Sequence, residues 1–272
     1  MYQGVQQDSS STIDGYKESH LRVLSAPLDV YWEEALIGYS DHYELMIEGV
    51  SAGYYCLNSD NQLVALFLIA EYLSHGEGAM AHIVAEHGVR QALAGTNDAY
   101  FLSLCLEIST RSEIHTILFQ DNDRNACVED QGYRFEQATA ADEDRLLLHY
   151  VQSNGDMDID SIETGFEDLR GYTQSLMRDH QIFILYEGDT LIATSECRIS
   201  ETQKPYADLG MIVATNSRRK GVGSYMLART KRFCYERSVE PICSCEAGNI
   251  GSKKAITKAG FVSRDRVVLF SL

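Results

Sequence analysis

Residues 218–223 read Arg218-Arg219-Lys220-Gly221-Val222-Gly223. They fall where an apolar strand pattern ends and a helical pattern begins. The first backbone N–H groups of a helix lack internal partners, and the helix dipole is positive at that end. Glycines let an anion approach those groups closely. Consecutive cations add charge-assisted contacts. Together these residues describe a site for a polyanionic phosphate ester. The alternative is a strand–helix turn that holds no phosphate. GxxxxGK[ST] is absent, so the loop is not a Walker loop, and the lack of GxGxxG speaks against a dinucleotide.

Other chemistry-bearing residues give weaker signals. Acidic residues at 156, 158, 160 and 167 sit at positions 1, 3, 5 and 12 of an EF-hand-like loop. Ser161 stands where that turn demands Gly, and Glu163 where it demands an aliphatic residue. The segment therefore reads as a solvated acidic loop, as a guide for a cationic substrate, or as a Ca²⁺ loop. The histidines show no triad or metal spacing, and no metal site is expected. The seven cysteines are odd in number and form no CxxC pair. That points to buried thiols in a reducing, cytoplasmic setting rather than to disulfides or zinc.

The elements that must position the loop follow from periodicity. In the second half, residues 133–138 read as a strand, and 143–152 and 167–180 as helices. Residues 181–186 and 190–199 form a hairpin pattern around Glu187-Gly188-Asp189. Strands are expected at 208–213, 241–246 and 267–272, and helices at 221–236 and 251–259. In the first half, strands are expected at 43–47, 53–56 and 63–69, a helix at 79–94, and strands at 100–108 and 115–119. This order echoes the second half, as a degenerate duplication would. Residues 1–24 are polar and read as a flexible tail without a signal peptide. The polar stretch 120–132 divides the remainder into domains at 25–130 and 131–272.

The chain has 272 residues, 44% of them hydrophobic, which is enough for a real core. No apolar run reaches the roughly 18–20 residues of a membrane span. The formal charge of −17 repels nucleic acid and anionic lipid, and mildly favours a cationic partner.

The loop resembles the signature of the GNAT superfamily of N-acetyltransferases, [Q/R]-x-x-G-x-[G/A] after a strand ending in Val. Arg218, Gly221 and Gly223 match it, and Val213 lies at the expected distance. Asn249-Ile250-Gly251-Ser252 followed by Gly260-Phe261 resembles the later family element. The resemblance covers residues 133 to 272. It implies an α/β fold with a mixed α+β sheet, the acyl-CoA N-acyltransferase fold, beside a smaller α+β domain in the first half that reads as a degenerate GNAT-like repeat. It implies transfer of an acetyl group from acetyl-CoA to an amine, with a homodimer left open. Under it, backbone groups of Met211, Ile212 and Val213 bond the pantetheine arm between two splayed strands. The N–H groups of Arg219, Lys220, Gly221, Val222, Gly223 and Ser224 cradle the pyrophosphate. Asn249 fixes the pantetheine end, and Lys258 reaches a phosphate.

Such chemistry needs a proton acceptor for the amine and a donor to the developing oxyanion. Family members often place the base on the face of Ala207 and Leu209, which are apolar here. Asp208, turned inward by a bulge, is one substitute. Glu196, a carboxylate in an otherwise apolar strand, is the better one, if it faces the cleft rather than solvent. Glu246 is a weaker case. The tyrosine that often protonates the leaving thiolate is replaced by Ile256. That departure leaves open a CoA-binding pseudoenzyme or sensor, and transfer of a longer acyl group is a further alternative. The first half lacks RxxGxG and opens its helix with His75-Gly76-Glu77-Gly78, so one CoA site is expected, and the first half would shape the acceptor cleft or an interface.

Overall fold

The computed structural model describes residues 1–7, 11–124, 131–153 and 159–272. Its elements run β1 (Tyr2–Gln6), α1 (Ser11–Val23), β2 (Asp41–Ile47), β3 (Val50–Leu57), β4 (Leu63–Leu68), α2 (Gly76–His87), β5 (Gln91–Gly95), α3 (Ala99–Ile108) and β6 (Arg111–Asp121). They continue as β7 (Arg134–Gln137), α4 (Glu143–Ser153), α5 (Ile159–Arg178), β8 (Ile182–Glu187), β9 (Thr190–Ile199), β10 (Tyr206–Val213), α6 (Val222–Glu236), β11 (Glu240–Glu246), α7 (Ile250–Lys258) and β12 (Phe261–Ser271). Two compact units result: Met1–Leu118 with Arg264–Leu272, and Phe119–Ser263. The expected division placed all of residues 131–272 together. Instead the end of β12 belongs to the first unit, because it pairs antiparallel with β5 from Val267↔Gly95 to Ser271↔Gln91.

In the first unit the strand order is β1-β2-β3-β4-β5-β12. Pairing is antiparallel except between β4 and β5. Successive side chains of a strand face opposite sides, and β3 shows it. Tyr55 and Leu57 join the core beneath α2 and α3, whereas Tyr54 and Cys56 join a second cluster with Ile13 and Trp32.

Three expectations for this half fail. The tail is not free: β1 pairs with β2, and Ile13 of α1 is 1% exposed. The helix expected at 79–94 stops at Gly88, whose φ of +64° ends it, and β5 follows. The strand expected at 100–108 is the helix α3. Asp98 accepts the Phe101 N–H at its N-terminus, and Phe101, Leu104 and Cys105 bury one helical face.

The second unit orders its strands β11-β10-β9-β8-β7, with β10–β11 parallel and the rest antiparallel. One face packs on α4 and α5, where Ile182, Ile184 and Tyr186 meet Leu146, Tyr150, Leu176 and Met177. On the other face, Phe183 packs edge-on to Phe233 of α6, and Cys197 Sγ lies 3.3 Å from Cys234 Sγ. Both units are therefore mixed α/β structures. Residues 159–167 of the segment expected as an acidic loop are helical instead, and Asp156 and Asp158 lie outside the described residues. Among the described residues there is no cluster that could hold a metal. The six described cysteines are buried and form no disulfide, and Cys127 lies outside the described residues.

Candidate functional site

Strand β10 pairs with β9 from Ala207 to Val213. With β11 it pairs only over Tyr206↔Glu240, Ala207↔Pro241 and Asp208↔Ile242. Beyond Asp208 these two strands part, and a cavity of about 780 Å³ opens at the end of β10. Of the residues that the resemblance assigns to coenzyme A, Met211, Ile212, Val213, Arg218, Arg219, Gly221, Val222, Gly223, Ser224, Asn249 and Lys258 line it. Lys220 is exposed and is not part of that lining. Ser252 of the later family element is, and so is Lys254, which sequence reasoning did not single out.

The loop owes its shape to two left-handed residues, Arg219 at φ +63° and Gly221 at φ +85°. Such alternation turns successive N–H groups inward, as in anion-binding nests. The Val222, Gly223 and Ser224 N–H groups open α6 and have no acceptor within the helix. A Cβ on Gly221 would sit 3.8 Å from Lys258 Nζ, so an ammonium stands over the loop. A Cβ on Gly223 would sit 2.9 Å from Met211 Sδ, so this glycine lets α6 pack close on β10. The residues present fit a diphosphate.

Two assigned side chains also hold the local fold together. The Arg218 guanidinium donates through Nε to Val213 O at 3.1 Å and through Nη2 to Ser153 O at 2.5 Å. It clamps the turn onto β10 and α4. Asn249 Oδ1 accepts the Ser252 N–H at 3.0 Å and so caps α7.

Glu196 faces α4 and α5, at the centre of a buried polar cluster. Tyr150 and Tyr172 donate to its Oε1 and Oε2 at 2.5 and 2.6 Å. Arg198 Nη1 donates to Oε2 at 2.9 Å, and Arg198 Nη2 donates to Asp208 Oδ2 at 2.5 Å. The register places Glu196 opposite Gly210 and Arg198 opposite Asp208. A Cβ on Gly210 would lie 3.4 Å from Glu196 Oε2, so the glycine leaves room for the carboxylate. Asp208 sits at the last paired position of β10 and β11, where the strands part, and reaches the cluster in regular pairing without a bulge. Burial, and then Glu196, hold the Tyr150 and Tyr172 phenols above their usual range. Burial works against the Arg198 charge, but Asp208 and Glu196 outweigh it and its pKa stands higher than usual. Glu246 is exposed at the end of β11, and Ile256 is 3% exposed in the core.

Residues 9–122 match the family model described as Acetyltransferase (GNAT) domain, and residues 150–261 match the one described as Acetyltransferase (GNAT) family. The family likeness therefore extends to the half in which only a degenerate repeat was expected. A solved structure described as an acetyltransferase of the GNAT family from Colwellia psychrerythraea shares 23% identity, with 99% of each chain covered and a TM-score of 0.91. A tandem GNAT protein from the clavulanic acid biosynthesis pathway shares 14% identity over 100% of this chain and 98% of that one, at a TM-score of 0.64. No curated protein sequence matches the chain.

Proposed function

The chain carries a GNAT acetyltransferase domain in each half, and from that premise we propose that the second unit transfers the acetyl group of acetyl-CoA directly to a primary amine. The observation that carries this reading is the parting of β10 from β11 above the anion-binding loop. A bound acetyl-CoA supplies an activated acyl thioester. The residues do the rest. The N–H groups of residues 219–224 and the Lys258 ammonium hold the diphosphate. The unpaired edge of Met211, Ile212 and Val213 offers backbone groups to the pantetheine amides, as an added strand would. A backbone N–H of the same segment would meet the developing oxyanion. Glu196 and Asp208 form the negative centre towards which a cationic amine is drawn and which takes its proton.

Among its described residues the first unit offers no equivalent cradle. Gly76 and Gly78, in the first turn of α2, are packed by the hydroxyl ends of Tyr100 and Tyr2, and Glu77 adds negative charge. One CoA per chain is expected, and a second by native mass spectrometry contradicts this. Thiol release from acetyl-CoA across an amine panel tests the reaction. Glu196→Gln is expected to lower turnover about tenfold or more, the size of a general-base contribution. Unchanged turnover removes Glu196 from the reaction. The buried Ile256 at the usual acid position favours a second reading, a CoA-binding sensor. Tight CoA binding without thiol release from any amine selects it.

A further inference from the structure

Glu196 has little access to a substrate of its own. Its side chain is 10% exposed, and Tyr150, Tyr172 and Arg198 occupy its oxygens. Asp208 and Tyr150 are buried more deeply still. Tyr172 differs: the residue is 38% exposed, and its hydroxyl both donates to Glu196 Oε2 and accepts from Arg198 Nη1 at 3.1 Å. A phenol oxygen accepts two hydrogen bonds, and one position remains.

We propose that Tyr172 is the outlet of this cluster, a relay that carries the proton of a cationic amine acceptor to Glu196. The inference rests on the acetyltransferase reading above. The substrate ammonium donates to Tyr172 Oη. Its N–H bond breaks as that proton passes to the phenol oxygen, while the phenolic proton passes to Glu196 Oε2. The nitrogen keeps its electron pair and attacks the acyl carbon. As the tetrahedral adduct collapses, the C–S bond breaks with its pair going to sulfur, and the second nitrogen proton passes to that thiolate, giving the amide and the free thiol. Tyr172 is never left as phenolate, which suits a phenol whose pKa burial and Glu196 hold high. The ionisable groups facing Tyr172 are Glu196 and Arg198 of β9 and Tyr150 of α4, with Asp208 of β10 joined through Arg198. Two carboxylates against one guanidinium leave the cluster with excess negative charge, which fits a cationic acceptor and not an anionic one.

The test compares the full-length chain with Tyr172→Phe, Glu196→Gln and the double variant, using a primary alkylamine and acetyl-CoA. Tyr172→Phe is expected to lower kcat/KM by about tenfold near neutral pH, a typical share for one proton-transfer group. The loss shrinks as pH rises towards the amine pKa of about 10, where the free amine already exists in solution. In the Glu196→Gln background the tyrosine change adds little, because the two act in one path. Acetyl-CoA binding by calorimetry and the thermal midpoint stay close to those of the unaltered chain. A loss of the same factor at every pH, additive losses, or no loss overturns the relay while leaving the transferase reading intact. An unaltered chain that binds acetyl-CoA but releases no thiol with any amine overturns the transferase reading, and the relay with it.

Discussion

Lys231 brings an ammonium into the interior of the second unit. Its Nζ lies 2.9 Å from Asp121 Oδ1, and it donates to Asp123 O at 2.6 Å and Ala259 O at 2.7 Å. The two side chains are 2% and 3% exposed. These bonds tie the middle of α6 to the end of β6 and to the turn before β12. Removing one partner of a buried pair strands the other charge and costs about 3–5 kcal/mol. Lys231→Met, similar in length, is expected to lower the unfolding midpoint of this unit by roughly 10 °C, at a few degrees per kcal/mol for such a size. A scan that moves by only a degree or two denies the pair this role. Nothing in the sequence marks Lys231, which reads as one more basic residue on a helix. The loop at 218–223 was legible because its glycines, cations and helix start are all local. Glu196 was legible as a charge in an apolar strand. Its partners Tyr172 and Tyr150 were not, because they lie 24 and 46 residues away and their helices meet β9 only through the fold.

At the scale of elements, α1 shows why residues 1–24 misread as a tail. Its apolar positions are sparse, and polar contacts supply much of its docking. His20 lies 2.8 Å from the Tyr54 hydroxyl and 2.6 Å from Asp98 Oδ2, and the Tyr16 hydroxyl lies 2.7 Å from Ser51 Oγ. Asp98 is also the residue that caps α3. Composition cannot reveal such partners. The same limit explains α3, whose aromatic and aliphatic run suits a strand until the Asp98 cap and the 101/104/105 spacing are weighed together. It did not affect β8, β9, β10 or α6, where a turn or a glycine stands beside each periodic pattern. Deleting residues 1–24 should therefore destabilise the first unit. Losing the burial of Ile13 alone forfeits about 1.5–3 kcal/mol. Loss of β1 bares the edge of β2, an invitation to association. A lower urea midpoint together with light scattering from larger species is the expected result; a truncated chain with an unchanged midpoint would show that α1 carries no stability.

For the molecule as a whole, two pH effects oppose each other. The chain carries a formal charge of −17 and a sequence pI of about 4.8, so acidification relieves self-repulsion while lowering solubility. Histidines whose pKa folding lowers act the other way. In the second unit, burial lowers the His149 pKa below its usual value of 6.5, the hydrogen bond to Ile212 O offsets part of this, and Arg218 adds to the lowering. In the first unit, burial and then Lys17 lower that of His42. Below pH 6.5 the unfolded chain takes up protons that the folded chain refuses. Stability therefore rises with pH through the window beneath 6.5 and levels off above it. A single such histidine contributes at most about 1.4 kcal/mol per pH unit within that window. Salt separates the two effects, because it screens surface repulsion and leaves a buried ring nearly untouched. In high salt, the unfolding free energy of the unaltered chain should still fall on acidification below 6.5, and His149→Gln should flatten that fall. If the full slope survives the substitution, the acid sensitivity belongs to His42 and the carboxylates, and His149 titrates alike in both states.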